Sequence, residues 1–137
     1  MIAQAIGPAD TIEQERLKLA AGDVVVRVTR IRSIGDQPAS HELAVLALAR
    51  LPGLIPDADM QDDIVALART HGVDLGRATE VFDTIHAATD VAELLGIDPN
   101  DAVLKLDRVV RCARELPIEW RVTYAVPCLV LNRHRRA

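Results

Sequence analysis

Polar and apolar positions alternate with a period of two from Asp23 onward: Val24, Val26 and Val28 share one face, and Arg30 and Arg32 continue that face. A strand sends successive side chains to opposite sides, so this apolar stripe ends in two guanidiniums that point the same way. Gly35-Asp36-Gln37-Pro38 is turn chemistry, and Ala39 to Leu48 is predicted as a second strand paired with the first, although Glu42 to Ala49 would favour helix by composition alone. Before this pair, Thr11 opens a short helix to about Leu19. Glu13, Glu15, Arg16 and Lys18 give it a charged side, and Ala21-Gly22-Asp23 ends it. After the pair, Met60, Ile64, Leu67 and Ala68 recur at helical spacing, which predicts a helix from Asp59 to His71 with Gly72 behind it. A strand from about Arg77 to Ala87, a short helix from Thr89 to Gly96, and two long strands, Val103 to Ala113 and Ile118 to Leu131, complete the chain. Helices fall between antiparallel pairs rather than after every strand. The expected class is therefore α+β, with a mainly antiparallel sheet flanked by helices.

Composition narrows the function. The 137 residues suit one domain, and half of them are apolar. The net charge of -4 provides no basic footprint for a nucleic-acid backbone. Phe82, Trp120 and Tyr124 are the only aromatic side chains, too few for a base-stacking platform. Met1 to Pro8 lacks the cationic and apolar halves of a signal peptide, and the longest apolar run, Leu43 to Leu48, is far shorter than a membrane span. A soluble, cytoplasmic protein with no membrane contact is expected. If the last two strands form a hairpin through Arg114 to Pro117, Cys112 lies near Glu119 and far from Cys128, so both thiols are expected to be free. His41, His71, His86 and His134 have no ligand spacing. Asp57, Asp59, Asp62 and Asp63 suit a helix start, so neither a metal nor a cofactor is expected.

The candidate chemistry is anion recognition. Two Arg forks on one strand face can grip a carboxylate or phosphate, and Glu42, ten residues beyond Arg32, can orient them or bind a polar group itself. The same two arginines also fit a solvated strand end. In the last strand Trp120, Val122, Tyr124 and Val126 share one face and Glu119, Arg121 and Thr123 the other, which suits either water or a polar ligand.

A wider frame emerges from the order Glu15-Arg16-Leu17, Gly22-Asp23, Arg30-Ile31-Arg32, Pro38, Glu42, Leu51-Pro52-Gly53-Leu54, a helix ending at Gly72, Ala88 to Leu95, Asp101 to Leu104 and Pro117-Ile118-Glu119. Taken together, from about Pro8 to Leu131, it resembles the UTRA domain, the effector-sensing domain of HutC-type regulators in the GntR family. The resemblance implies a chorismate-lyase-like fold that binds a small metabolite in a cleft. Residues 1–10 would be an extension or linker remnant, 11–131 the sensing domain and 132–137 a basic tail. Carried over position by position, it selects Arg30, Arg32, Glu42, Asp62, Ile64 and Glu119 as ligand-binding, with Arg121 and Thr123 as the polar positions of the late strand.

The chain departs from the family pattern in three places. Asp62-Asp63-Ile64 replaces a helix start that is often Ser-Leu-Tyr. Ala125-Val126-Pro127-Cys128 stands where many relatives have an Arg-x-Asp-Arg ending. The winged-helix domain through which such regulators meet DNA is not found in this chain. The resemblance further implies a homodimer, with the apolar stretch Leu43 to Leu54 fitting either a subunit interface or core. Two other classes remain in view. One is a chorismate-lyase-like enzyme, which would need chiefly desolvation and positioned charge; the other is a dimerisation module with a degenerate pocket.

Overall fold

A computed structural model describes residues 2–56 and 64–127. Asp57, Asp59, Asp62, Asp63, Cys128 and the basic run Arg133 to Arg136 lie outside the described residues. Strand β1 (Ile2–Pro8) is followed by α1 (Thr11–Leu17), the pair β2 (Val24–Ile34) and β3 (Gln37–Ala47), a 3₁₀ turn (Leu48–Arg50) and α2 (Ile64–Thr70). Strand β4 (Leu75–His86), α3 (Thr89–Leu95), β5 (Ala102–Cys112) and β6 (Pro117–Ala125) follow. All strands join one antiparallel sheet in the order β1-β2-β3-β6-β5-β4. The fold is α+β with a mainly antiparallel sheet, as expected.

Alternation divides the sheet into two faces, and it is broken in the last strand where a register shift leaves the neighbours Ile118 and Glu119 on the same side. On one, Val26, Val28, Leu46, Val110 and Ile118 pack with Leu51, Leu54 and, from α2, Ile64 and Leu67. On the other, Val25 and Val45 pack with Leu17 of α1, while Val103 and Val126 pack with Val91, Ala92 and Leu95 of α3. Each of these fully buried aliphatic side chains contributes about 1.5–3 kcal/mol of transfer free energy. Leu46, Leu51 and Leu54 belong to this core, so the stretch from Leu43 to Leu54 is largely interior rather than a subunit interface.

Local chemistry explains the elements. Helix α1 starts on a capping box: the Asp10 carboxylate accepts from the Glu13 amide at 2.7 Å, and the Glu13 carboxylate accepts from the Asp10 amide at 2.9 Å. Glu13 is buried and also accepts from Arg27 Nε at 2.7 Å and from Arg27 NH2 at 2.6 Å, so it does not belong to a solvated charged side. These bonds from Arg27 hold the Glu13 carboxyl below its ordinary range. At the other end of α1, Arg50 donates to the carbonyls of Leu17, Lys18 and Pro117 at 2.6–2.8 Å, tying the helix terminus to the start of β6. Gly96 ends α3 at φ 66°, the left-handed region where a side chain is costly.

Three features differ from the sequence expectation. Ile2 to Pro8 is a full strand, paired with β2 from Ile2 opposite Arg30 to Pro8 opposite Val24. Strand β4 is an edge whose side chains are exposed on both faces over nearly all of its length, with Val81 61% and Phe82 69% exposed. In the β5–β6 hairpin a register shift lies between Val110 and Arg111, and Val110 stands opposite Glu119. A bulge of this kind displaces every pair beyond it from the register that counting outward from the turn predicts. Cys112 is a half-buried free thiol packed against the α2-side core.

Candidate functional site

On the face that carries α2, register stacks polar residues in successive rungs beyond the apolar core. Val26, Leu46, Glu119 and Val110 form one rung across β2-β3-β6-β5. Val28, Ala44, Arg121 and Arg108 form the next, and Arg30, Glu42, Thr123 and Leu106 the third. Arg32, opposite Ser40, continues the β2 stripe outward. The pattern that alternates along the sequence thus becomes a charged band across four strands, with α2 laid against its apolar border.

The two carboxylates of this band are held very differently. Glu119 is 1% exposed; its Oε1 accepts from Arg108 NH2 and its Oε2 from Arg121 NH2, each at 3.1 Å. Arg108 and Arg121 face each other across β5 and β6, where two like charges would repel, and the carboxylate one rung inward neutralises both. Glu42 is looser. Its Oε1 lies 3.4 Å from Arg32 Nε and its Oε2 lies 3.5 Å from Arg121 NH1, and Oε2 is buried without a hydrogen bond among the described residues. Such separations retain Coulomb attraction but little of the directional bond. Arg32 is 45% exposed, whereas Arg30 is 4% exposed, so the band runs from water into the interior.

The structure brings together Arg30, Arg32, Glu42, Glu119, Arg121 and Thr123 from the sequence-based set. Asp62 lies outside the described residues. Ile64 is 3% exposed within the α2-side core, beside Val26, Val28 and Leu67. Its side chain adds apolar floor and no polar contact. Arg108 is the residue that sequence reasoning missed. Its face can be read from Val110 and Leu106, but its place opposite Arg121 depends on the register shift in the hairpin, which the sequence does not announce. Between Val28, Arg30, Ala44, Leu46, Leu67, Glu119 and Arg121 the described residues leave about 10 Å³, room for no more than one water.

A wider groove of about 590 Å³ lies on the opposite face between α1 and α3, with His41, Lys105, Trp120 and Tyr124 among its walls. Several of its charges are already engaged: Arg16 pairs with Asp107, which also accepts from Trp120 Nε1 at 3.0 Å, and Arg16 lies over the Trp120 ring. His41 is held below its ordinary pKa of 6.5, chiefly by burial, with Asp90 and Glu42 opposing the shift. Room alone favours this groove. Buried charge on central strands makes the arginine band the stronger candidate, because an unused ion cluster is an expensive thing to place in a sheet centre. Among the described residues no cluster of His, Cys, Asp and Glu could hold a metal ion, and no helix is long and apolar enough to cross a membrane.

Comparison with known proteins gives the same frame. A transcriptional regulator of the GntR family from Enterococcus faecalis V583 superposes with a TM-score of 0.81 at 24% identity, covering 90% of this chain and 88% of that one. The effector domain of PhnF from Mycobacterium smegmatis superposes with a TM-score of 0.77 at 25% identity, covering 90% of this chain and 76% of that one. A second structure, of PhnF from Mycobacterium smegmatis, superposes with a TM-score of 0.77 at 26% identity, covering 90% of this chain and 55% of that one. The family model for the UTRA domain matches residues 1–130, and the chain therefore belongs to the UTRA domain family.

Proposed function

We propose that this chain is the effector-binding domain of a GntR-family, HutC-type transcriptional regulator. It binds a small anionic metabolite at the arginine band and does not transform it. The observation that carries this reading is the band itself, with charges from β2, β3, β5 and β6 gathered on one face of the sheet centre and graded from exposed Arg32 to buried Glu119. Arg30 and Arg32 supply the anion site. Glu42, Glu119 and Thr123 accept hydrogen bonds, Arg121 bridges the two carboxylates, Ile64 adds apolar floor from α2, and Asp62 is a further acceptor on the strength of the family resemblance.

Signalling follows from the register. Ile2 on β1 lies opposite Arg30 on β2, so a ligand that draws Arg30 also shifts the backbone at the start of the chain. A winged-helix domain attached there would feel the change and would make the DNA contacts. The size of the response is bounded by the ligand's differential affinity for the two states. The protein acts in the cytoplasm as a homodimer. The exposed edge β4, with Val81 and Phe82 uncovered, supports the dimer, and sedimentation of a Phe82→Glu variant as a monomer beside a dimeric parent tests it.

The test of function is a thermal-shift screen against sugar phosphates, amino acids and their degradation products, and small dicarboxylates, run on the parent and on Arg32→Ala. A ligand that binds only the folded state raises the melting temperature, and the rise is expected to vanish in the variant. Silence across the panel would favour a dimerisation module with a degenerate pocket. Turnover of chorismate would favour the enzyme.

A further inference from the structure

We infer that the groove between α1 and α3 is a second small-molecule site, on the sheet face opposite the arginine band, and that it takes an aromatic carboxylate whose charge is met by Lys105. The groove offers about 590 Å³, within the range of about 300–1,000 Å³ that small ligands occupy. The chain has three aromatic side chains, and two of them, Trp120 and Tyr124, stand in this one groove. Leu43 and Val122 line it beside them. Ile12 of α1 and Leu94 of α3 form its outer walls and remain 59% and 41% exposed. An apolar trough that holds two rings suits a flat ring, which gains area burial and aromatic contact together.

The charges of the groove are unequally committed. Arg16 pairs with Asp107, which also accepts from Trp120 Nε1, and Asp90 lies in the first turn of α3, where a carboxylate complements the helix amides. Lys105 has no such role. Register sets it between Tyr124 on β6 and Asp83 on β4, and its Nζ lies 6.0 Å from the centre of the Tyr124 ring. Among the described residues it forms no ion pair, with Asp83 or with any other carboxylate. A half-buried ammonium held only by a ring face lacks a counter-ion to offset its lost hydration, and a ligand carboxylate supplies one. His41 stands on the other side of Tyr124 in the same rung. Its Nδ1 is buried without a hydrogen bond among the described residues, which leaves Nε2 as the ring nitrogen able to meet a ligand. The sheet itself separates this site from the band: His41 and Glu42, and likewise Tyr124 and Thr123, are neighbours in sequence that project to opposite faces.

Trp120 is the single tryptophan of the chain and lies in the groove, so its fluorescence reports occupancy directly. The experiment titrates the parent, Lys105→Met and Leu94→Glu with 3-phenylpropionate at constant ionic strength, with 3-phenylpropylamine and propionate as comparison ligands. Circular dichroism confirms that each variant is folded. The expected result is a saturable change in Trp120 emission with 3-phenylpropionate, and affinities about tenfold weaker for the amine, which reverses the charge, and for propionate, which lacks the ring. Lys105→Met keeps the length of the side chain and removes its charge, and it weakens 3-phenylpropionate about tenfold, the worth of one charge-assisted contact. Leu94→Glu sets a like charge on the exposed wall and weakens it as well. Three results overturn the inference: no saturable change with 3-phenylpropionate, binding of the amine as tight as that of the carboxylate, or an unchanged affinity in Lys105→Met. A response that survives in Lys105→Met and is lost in Arg32→Ala also overturns it, because the carboxylate then binds at the arginine band, and the proposed function stands without a second site.

Discussion

Replacing Glu119 by Gln probes the centre of the charged band with almost no change in shape. The side chain is 1% exposed and accepts one hydrogen bond from each of Arg108 and Arg121, which face each other on adjacent strands. Each attraction is of order 4 kcal/mol at an effective dielectric near 20, and the desolvation of three charges offsets most of this sum in the intact cluster. The single substitution is harsher than that balance suggests, because it removes the carboxylate that the two opposed guanidiniums share, although Arg121 keeps its 3.5 Å contact with Glu42. Removing one partner from a buried ion pair costs about 3–5 kcal/mol. Here the side chains of Arg108 and Arg121 retain 24% and 11% exposure and the Gln carbonyl can still accept from one of them, so a loss of about 2–4 kcal/mol is expected. For a chain of this length that corresponds to a melting temperature lower by roughly 10 °C. Urea denaturation should show the midpoint falling at an unchanged m-value. A double-mutant cycle with Arg108→Met should return a coupling of about 1–3 kcal/mol. A melting temperature within 2 °C of the parent together with zero coupling would refute the reasoning, since it would mean that Arg108 and Arg121 need no internal anion.

Two further outcomes follow from other parts of the molecule. Asp10→Ala removes one half of the α1 capping box and should cost about 1 kcal/mol by urea denaturation, while the bonds from Arg27 to Glu13 keep the helix docked. His41 has its pKa lowered in the folded state, so the unfolded chain binds more protons as pH falls through 6.5. Its stability contribution is therefore complete above that pH and declines below it, and His41→Gln should flatten the stability profile below pH 6.5. A profile unchanged by the substitution would show that the imidazole titrates alike in both states.

Much of the architecture was legible because hydrophobic period is a local property. The alternation of Val24, Val26, Val28, Arg30 and Arg32 marked both the strand and the face on which the guanidiniums emerge, and Glu119, Arg121 and Thr123 were separated from Trp120, Val122 and Tyr124 by the same rule. The stretch Glu42 to Ala49 shows where local preference yields to context. Its composition favours helix, yet β3 is paired on one side with β2 and on the other with β6, and hydrogen bonds to two neighbours outweigh a propensity of a few tenths of a kcal/mol per residue. Ile2 to Pro8 carried no strand signal strong enough to read and is a strand only because β2 has a free edge for it.

The sequence by itself determined the α+β class, most element boundaries, the faces of the strands at Val24–Arg32 and Glu119–Tyr124, and the presence of an Arg, Arg, Glu set able to hold an anion. All of these depend on the order of residues within about a dozen positions. Tertiary structure alone decided which of those residues meet. Register across β2-β3-β6-β5 places Arg30 on the rung of Glu42 and Thr123, and a one-pair shift in the last hairpin brings Arg108 opposite Arg121. It also makes Glu119 a sealed counter-ion and leaves Glu42 loosely held, a difference set by distance and burial between residues up to about eighty positions apart. Pairing of strands distant in the chain is a property of the folded sheet, and no local pattern encodes the spacing between two side chains that only the sheet brings together.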